Sequence, residues 1–141
     1  MIRHQQNWRS LLFVPVTSER FLSKAHERGA DAIILDLEDS ILPAHKADAR
    51  AALAAAVPRV SQSGADVVVR VNRPLDLAVL DIAASVMPGV AALMLPKVMG
   101  PEHVRLLAEL VTAREEALGM AVGHTRFLAL IESPAALPHL F

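Results

Sequence analysis

The chain has 141 residues, 53% of them hydrophobic and 21% charged, with 14 Lys and Arg against 15 Asp and Glu and no cysteine. That apolar fraction excludes intrinsic disorder, the missing cysteines exclude a disulfide scaffold, and a formal charge of -1 gives no footprint for nucleic acid or a membrane surface. The early apolar run LLFVPV is too short for a signal-peptide core or a spanning helix, so a soluble, cytoplasmic globular protein is expected.

Short apolar runs without polar alternation recur at Leu11–Val14, Ala32–Leu37, Val67–Val71, Ala91–Leu95 and Phe127–Ile131. Runs of this kind suit strands covered on both faces, as in a parallel sheet. Helical spacing fills the gaps between them. Phe21, Leu22 and Ala25 share a face, and Gly29 follows where a helix-ending glycine belongs. The Ala-rich segment Lys46–Val57 reads as a helix ended by Pro58. Leu75–Val86 carries apolar residues at 75, 79, 82, 83 and 86, and Glu102–Leu118 carries a stripe at 104, 107, 108, 111 and 118 behind Pro101. Ser133-Pro134 reads as the cap and first position of a fifth helix. The pattern is therefore β-α repeated, with no linker or domain boundary.

The apolar runs end in polar groups on one side. The second gives Asp36, Glu38 and Asp39, the third Arg70 and Asn72, the fourth Lys97 and the fifth Glu132. These are carboxyl ends, the edge where parallel α/β folds bind ligands. Strand alternation predicts Asp36 and Glu38 on one face and Asp39 on the other. Three carboxylates this close need a cation, supplied by Mg²⁺ or by Arg70 and Lys97 as structural partners. Arg70 interrupts an apolar run, so its guanidinium must be paired, with a ligand carboxylate or with an Asp of the chain. Glu132 can ligate a metal or only cap a helix. The histidines at 4, 26, 45, 103, 124 and 139 show no zinc-ligand spacing, and there is no GxGxxG, GxxxxGK[ST] or GxSxG.

The segments RSLLFVP at 9–15, GADAIILDLEDSI at 29–41, KADAR at 46–50, VRVN at 69–72, LPKV at 95–98 and LIES at 130–133 occur in series. Together they resemble the citrate lyase β-subunit-like and malyl-CoA lyase branch of the HpcH/HpaI aldolase superfamily. The resemblance implies an α/β fold, the N-terminal part (about five βα units) of a TIM-type (β/α)8 barrel. It also implies a homo-oligomer (trimer or hexamer) that uses Mg²⁺ to cleave a CoA thioester of a hydroxy acid into an acyl-CoA and an oxo acid. Carried over by position, Glu132 would be a metal ligand, with the second ligand expected beyond Phe141. Arg70 would hold the substrate carboxylate and carbonyl, and Glu38 and Asp39 would form the acidic wall of the site. Arg9 would be an early contact for CoA or substrate, and Lys97 a further substrate-side cation. Val16 stands where the family commonly has glycine, and is expected to narrow the mouth of the first strand or to alter the loop geometry there. A barrel of this type needs about 250 residues, so residues 1–141 are expected to be its N-terminal portion. Two other readings fit the same residues: a self-contained flavodoxin-like module that binds metal or signals, and a family member that has kept the fold and lost the activity.

Overall fold

The computed structural model describes residues 7–140. Five strands form one parallel sheet: β1 (Leu11–Pro15), β2 (Ala32–Asp36), β3 (Asp66–Arg70), β4 (Val90–Leu95) and β5 (Arg126–Ala129). Their spatial order is β1-β2-β3-β4-β5, the order of the chain. Four helices connect them: α1 (Glu19–Ala25), α2 (Lys46–Val60), α3 (Leu75–Ser85) and α4 (Pro101–Ala117). Successive helices pack against each other, α1 on α2, α2 on α3 and α3 on α4. The chain thus winds in one direction, with its helices on one face of the sheet. That is the topology of a (β/α) barrel. A flavodoxin-like sheet reverses direction, with order 2-1-3-4-5 and helices on both faces, so the flavodoxin-like reading is overturned.

Strand alternation divides the core in two. Ile33, Leu35, Val67, Val69, Leu93 and Leu95 face the helices and pack with Leu22, Leu53, Ile82 and Leu107. Ala32, Ile34, Val68, Ala92 and Met94 face the other way, with Trp8, Leu11, Leu128 and Leu130 against them. This second face is the one a barrel turns inward. Val16 is 1% exposed and belongs to the helix-side core, so it fills space beneath α1 and does not narrow the strand mouth as its sequence position suggested.

Three helical elements depart from their expected form. α2 runs past Pro58 to Val60, because a proline in the last turn forfeits only a hydrogen bond near the helix end. α3 buries Ala78, Asp81, Ile82 and Ser85 and leaves Leu75 and Val79 47% and 41% exposed. Of the five expected apolar positions Ile82 and Val86 are buried, so the inward face is rotated from the expected one and shares only part of it. Asp81 decides the rotation: its carboxylate accepts hydrogen bonds from Arg50 on α2 (3.1 Å) and from the backbone and side-chain nitrogens of Asn72 (both 2.7 Å). The segment after Ser133 forms a 3₁₀ helix over Pro134–His139 rather than an α-helix, and the Ser133 side chain makes no cap.

A second buried carboxylate organises the far side. Glu115 is fully buried on α4 and accepts backbone N–H groups from Gly123 (2.7 Å) and Thr125 (2.6 Å), which closes the turn leading into β5. Among the described residues no helix is long and apolar enough to cross a membrane.

Because Asp81 is wholly buried and Arg50 nearly so, Asp81→Ala strands a cation and two amide donors. It is expected to cost about 3–5 kcal/mol in urea unfolding, whereas Val79→Ala on the exposed side of the same helix should stay within about 0.5 kcal/mol.

Candidate active site

The site is built on the carboxyl ends of β2 to β5. Asp36 and Arg70 are the last residues of β2 and β3 and are paired in register, so both side chains leave the same face of adjacent strands. They meet in a fork: Arg70 Nε lies 2.7 Å from Asp36 Oδ1 and Nη2 2.8 Å from Oδ2. The Phe13 ring covers the guanidinium, its centroid 4.7 Å from Cζ. Asp36 is 2% exposed, and burial works against its charge. The hydrogen bonds from Arg70, Ser40 and Glu38 outweigh that burial and hold its pKa down at about 2, while the same pairing raises that of Arg70.

Asp36 also ends its strand. Its two oxygens accept the backbone N–H groups of Glu38 (2.9 Å) and Ser40 (3.1 Å), so the chain turns instead of continuing to alternate. The expected separation of Asp39 from Glu38 therefore fails. Arg70 Nη1 stands 3.1 Å from Glu38 Oε2 and 3.8 Å from Asp39 Oδ2, on one side of the turn. Lys46 locks the turn from below through the carbonyls of Leu37 (2.7 Å) and Glu38 (2.6 Å), and Asn72 adds a hydrogen bond to Leu37. Burial pushes the Lys46 ammonium pKa down, against the pull of Asp81, Asp36, Glu38 and Asp39.

Lys97 joins this acidic turn to β5. Its Nζ lies 2.7 Å from Glu38 Oε1 and 3.7 Å from Asp39 Oδ1, and the Glu38 hydrogen bond raises its pKa. Its backbone N–H donates to Glu132 Oε1 at 3.0 Å. Among the described residues Lys97 is the only non-glycine with positive φ, at 49°. A cleft of about 560 Å³, of a size that takes a small ligand, opens beside these groups between Phe13, Pro15, Phe21, Asp36, Asp39, Ser40 and Arg70.

The structure thus brings together Arg70, Glu38, Asp39 and Lys97, with Glu132 at their edge through Lys97. Arg9 is not among them. It precedes β1 at the opposite, amino end of the sheet, where its backbone N–H and guanidinium bind Asp31 at 2.8 and 3.2 Å. That contact ties the start of β1 to the start of β2 and places Arg9 away from the ligand edge. His4 and the expected second metal ligand lie outside the described residues.

Of the carboxylates, Glu132 is exposed, with one oxygen held by the Lys97 amide, and its hard donor set suits Mg²⁺. Glu38 is 6% exposed and is occupied by Lys97, while its Oε2 faces Arg70 without an aligned hydrogen bond. No group of three His, Cys, Asp or Glu side chains converges on a metal position among the described residues. This part of the chain therefore fits the ion through Glu132 as a single ligand. Sequence reasoning missed Lys46, Arg50 and Asp81 as supports of the site. The only signal was the KADAR segment, which contains two of them.

Two measurements follow from this geometry. A carboxylate whose pKa is depressed in the folded state stabilises above its unfolded value, near 3.9, and loses that contribution as pH falls toward 2. The stability gap between wild type and Asp36→Asn is therefore expected to be about 2 kcal/mol at neutral pH and to shrink between about pH 4 and pH 2. Lys97→Gly and Lys97→Ala both delete the ammonium, but only glycine is at ease with φ of 49°. The glycine variant is expected to be about 1 kcal/mol the more stable in urea unfolding.

The HpcH/HpaI aldolase/citrate lyase family model matches residues 9–140. Citrate lyase subunit beta of Haemophilus influenzae is 36% identical over 131 residues, which are 92% of this chain and 45% of that protein. The chain thus spans about half the length of this relative. The citrate lyase beta subunit from M. tuberculosis, solved with oxaloacetate and magnesium, is 26% identical with a TM-score of 0.55, over 93% of this chain and 62% of that one. Malate synthase of Haloferax volcanii superposes with a TM-score of 0.82 at 17% identity, covering 94% of this chain and 44% of that one, and so shares the fold. By sequence and strand order alike, the chain belongs to the HpcH/HpaI aldolase/citrate lyase family, of whose barrel it forms a part.

Proposed function

We propose that residues 1–141 are the N-terminal portion of a single barrel domain of a cytoplasmic, homo-oligomeric carbon–carbon lyase (trimer or hexamer). Its substrate would be a hydroxyacyl-CoA such as citryl-, malyl- or citramalyl-CoA, and its products an acyl-CoA and an oxo acid. The observation that carries this reading is Arg70: a guanidinium fixed at the ligand edge by Asp36 and Phe13, beside an open cleft.

A guanidinium has five N–H donors. The Asp36 fork uses Nε–H and one proton of Nη2, and Nη1 faces Glu38 and Asp39. The remaining Nη2 proton can meet a substrate oxygen in the cleft. In the cleavage direction the carbinol proton passes to a general base, the bond to the acyl α-carbon breaks, its electron pair enters the thioester as an enolate, and return of a proton to that carbon gives the acyl-CoA. Held by Asp36 and Phe13, Arg70 would meet charge on the substrate's oxygens without first reorganising. Glu132 would hold Mg²⁺, which when bound lowers the pKa of the substrate hydroxyl and stabilises charge on the oxo-acid product. Glu38 and Asp39 form the acidic wall. Of the two, Asp39 is 69% exposed and lines the cleft, whereas Glu38 is buried against two cations. Lys97 would contribute its charge at the substrate side of this wall.

The deciding assay is Mg²⁺-dependent formation of acyl-CoA together with an oxo acid from citryl-, malyl- and citramalyl-CoA by the full-length polypeptide. Glu132→Gln is expected to abolish it, and Arg70→Lys, which cannot keep both the Asp36 fork and a substrate contact, to lower kcat/KM about 100-fold. Free CoA released without an oxo acid would make the protein a hydrolase. No turnover of any of the three thioesters by a folded protein would mark a member that has lost the activity.

A further inference from the structure

We propose that Lys97 is a positioning residue that sorts the carboxylates of the site, presenting Glu132 to a divalent cation and holding Glu38 away from it. This role rests on the reading above, that a cation binds at Glu132. The geometry supplies two holds from one residue. The ammonium takes Glu38 Oε1 at 2.7 Å, and the backbone N–H takes Glu132 Oε1 at 3.0 Å. The second hold depends on the left-handed conformation at φ 49°, which carries a steric cost in a residue with a side chain and persists where its surroundings enforce it. Glycine would adopt this backbone freely but has no ammonium to reach Glu38. A lysine here therefore meets two requirements that no residue of low strain meets together.

The consequence concerns Glu38. Its carboxylate is 7% exposed, and Oε2 lacks an aligned hydrogen bond, so it retains an acceptor site close to Arg70. Without the ammonium, Oε1 loses its hydrogen-bond partner and Arg70 is left as the cation facing Glu38; on this proposal Glu38 would then be drawn toward the ion as a second hard oxygen donor. Lys97 would prevent this by charge and by hydrogen bond, leaving a cation at Glu132 with positions that a substrate's oxygens could take.

The test is a double-mutant cycle between Lys97→Met and Glu38→Gln on the full-length polypeptide, with Mn²⁺ as the probe and free Mn²⁺ read by electron paramagnetic resonance. Lys97→Met keeps the backbone N–H for Glu132 and removes only the ammonium. In the wild-type background Glu38→Gln is expected to leave Mn²⁺ affinity within about twofold, and in the Lys97→Met background to weaken it about tenfold, a coupling of the size that contacting groups show. Water-proton relaxation should show Mn²⁺ losing about one bound water in Lys97→Met relative to wild type. Lys97→Arg, which returns a cation to the same place, should restore the uncoupled pattern. Equal loss in both backgrounds would make Glu38 a ligand already and overturn the sorting role, as would no effect in either. The water count decides the question even if the doubly substituted protein does not fold. A Glu132→Gln variant that binds Mn²⁺ as wild type does would overturn the cation reading itself, a separate outcome.

Discussion

A half-buried guanidinium at the end of β3 is the constraint from which the rest of the site follows. Arg70 sits in register with Asp36 on the inward face of the sheet, where the rows below are Ile34, Val68 and Ala92. A charge there is tolerated only with a partner in good geometry, and the strand register supplies one. Asp36 then cannot act as a free carboxylate. Its oxygens are divided among Arg70 and the amides of Glu38 and Ser40, so the pair that neutralises the arginine also turns the chain. That turn places Glu38 and Asp39 over Nη1. One ion pair thus fixes the direction of the arginine, the end of a strand and the position of the acidic wall.

The supports of this turn extend downward through the helix layer. Lys46, at the start of α2, holds two carbonyls of the turn, and Arg50, one helical turn later, holds Asp81. Asp81 binds Asn72, and Asn72 returns to the carbonyl of Leu37. The loop closes on itself across β2, α2, β3 and α3. Its members are buried or nearly so, and each satisfies a donor or acceptor that would otherwise be stranded. The site is rigid because it is wired to the core beneath it.

Much of the fold was legible in the sequence, because unbroken apolar runs such as Ala32–Leu37 and Val67–Val71 mark strands buried on both faces, and their spacing leaves room for a crossover helix. The polar residues at the strand ends were legible for the same reason. What was not legible depended on contacts distant in the chain. The inward face of α3 followed Asp81 and its partners 9 and 31 residues away, and kept only Ile82 and Val86 of the hydrophobic pattern. Asp39 defied alternation because an aspartate side chain had captured the backbone two and four residues on. Arg9 lies beside the first strand in sequence, yet on the opposite edge of the sheet from the cleft, a distinction that a motif position does not carry. The conformation of Lys97 had no sequence signal at all, since lysine is an unremarkable residue in a loop and its φ is imposed by what holds it.

The charge balance at the ligand edge bears on the proposed chemistry. Asp36, Glu38, Asp39 and Glu132 place four carboxylates there, against the cations of Arg70, Lys97 and Lys46. The edge is therefore left with an excess of negative charge, although Arg70 points into the cleft. A substrate carrying carboxylates would be repelled by that excess at contact distance. On the proposed function, a divalent cation at Glu132 would reverse the sign locally, at the one carboxylate of these four that is exposed and not already bound to a cationic side chain. Anion binding would then be conditional on the cation, and the condition would lie at the far end of Lys97, whose other end holds the acidic turn. On this reading metal and substrate are coupled through electrostatics before any bond is broken, and Arg70 alone does not suffice to hold a dicarboxylate in the cleft.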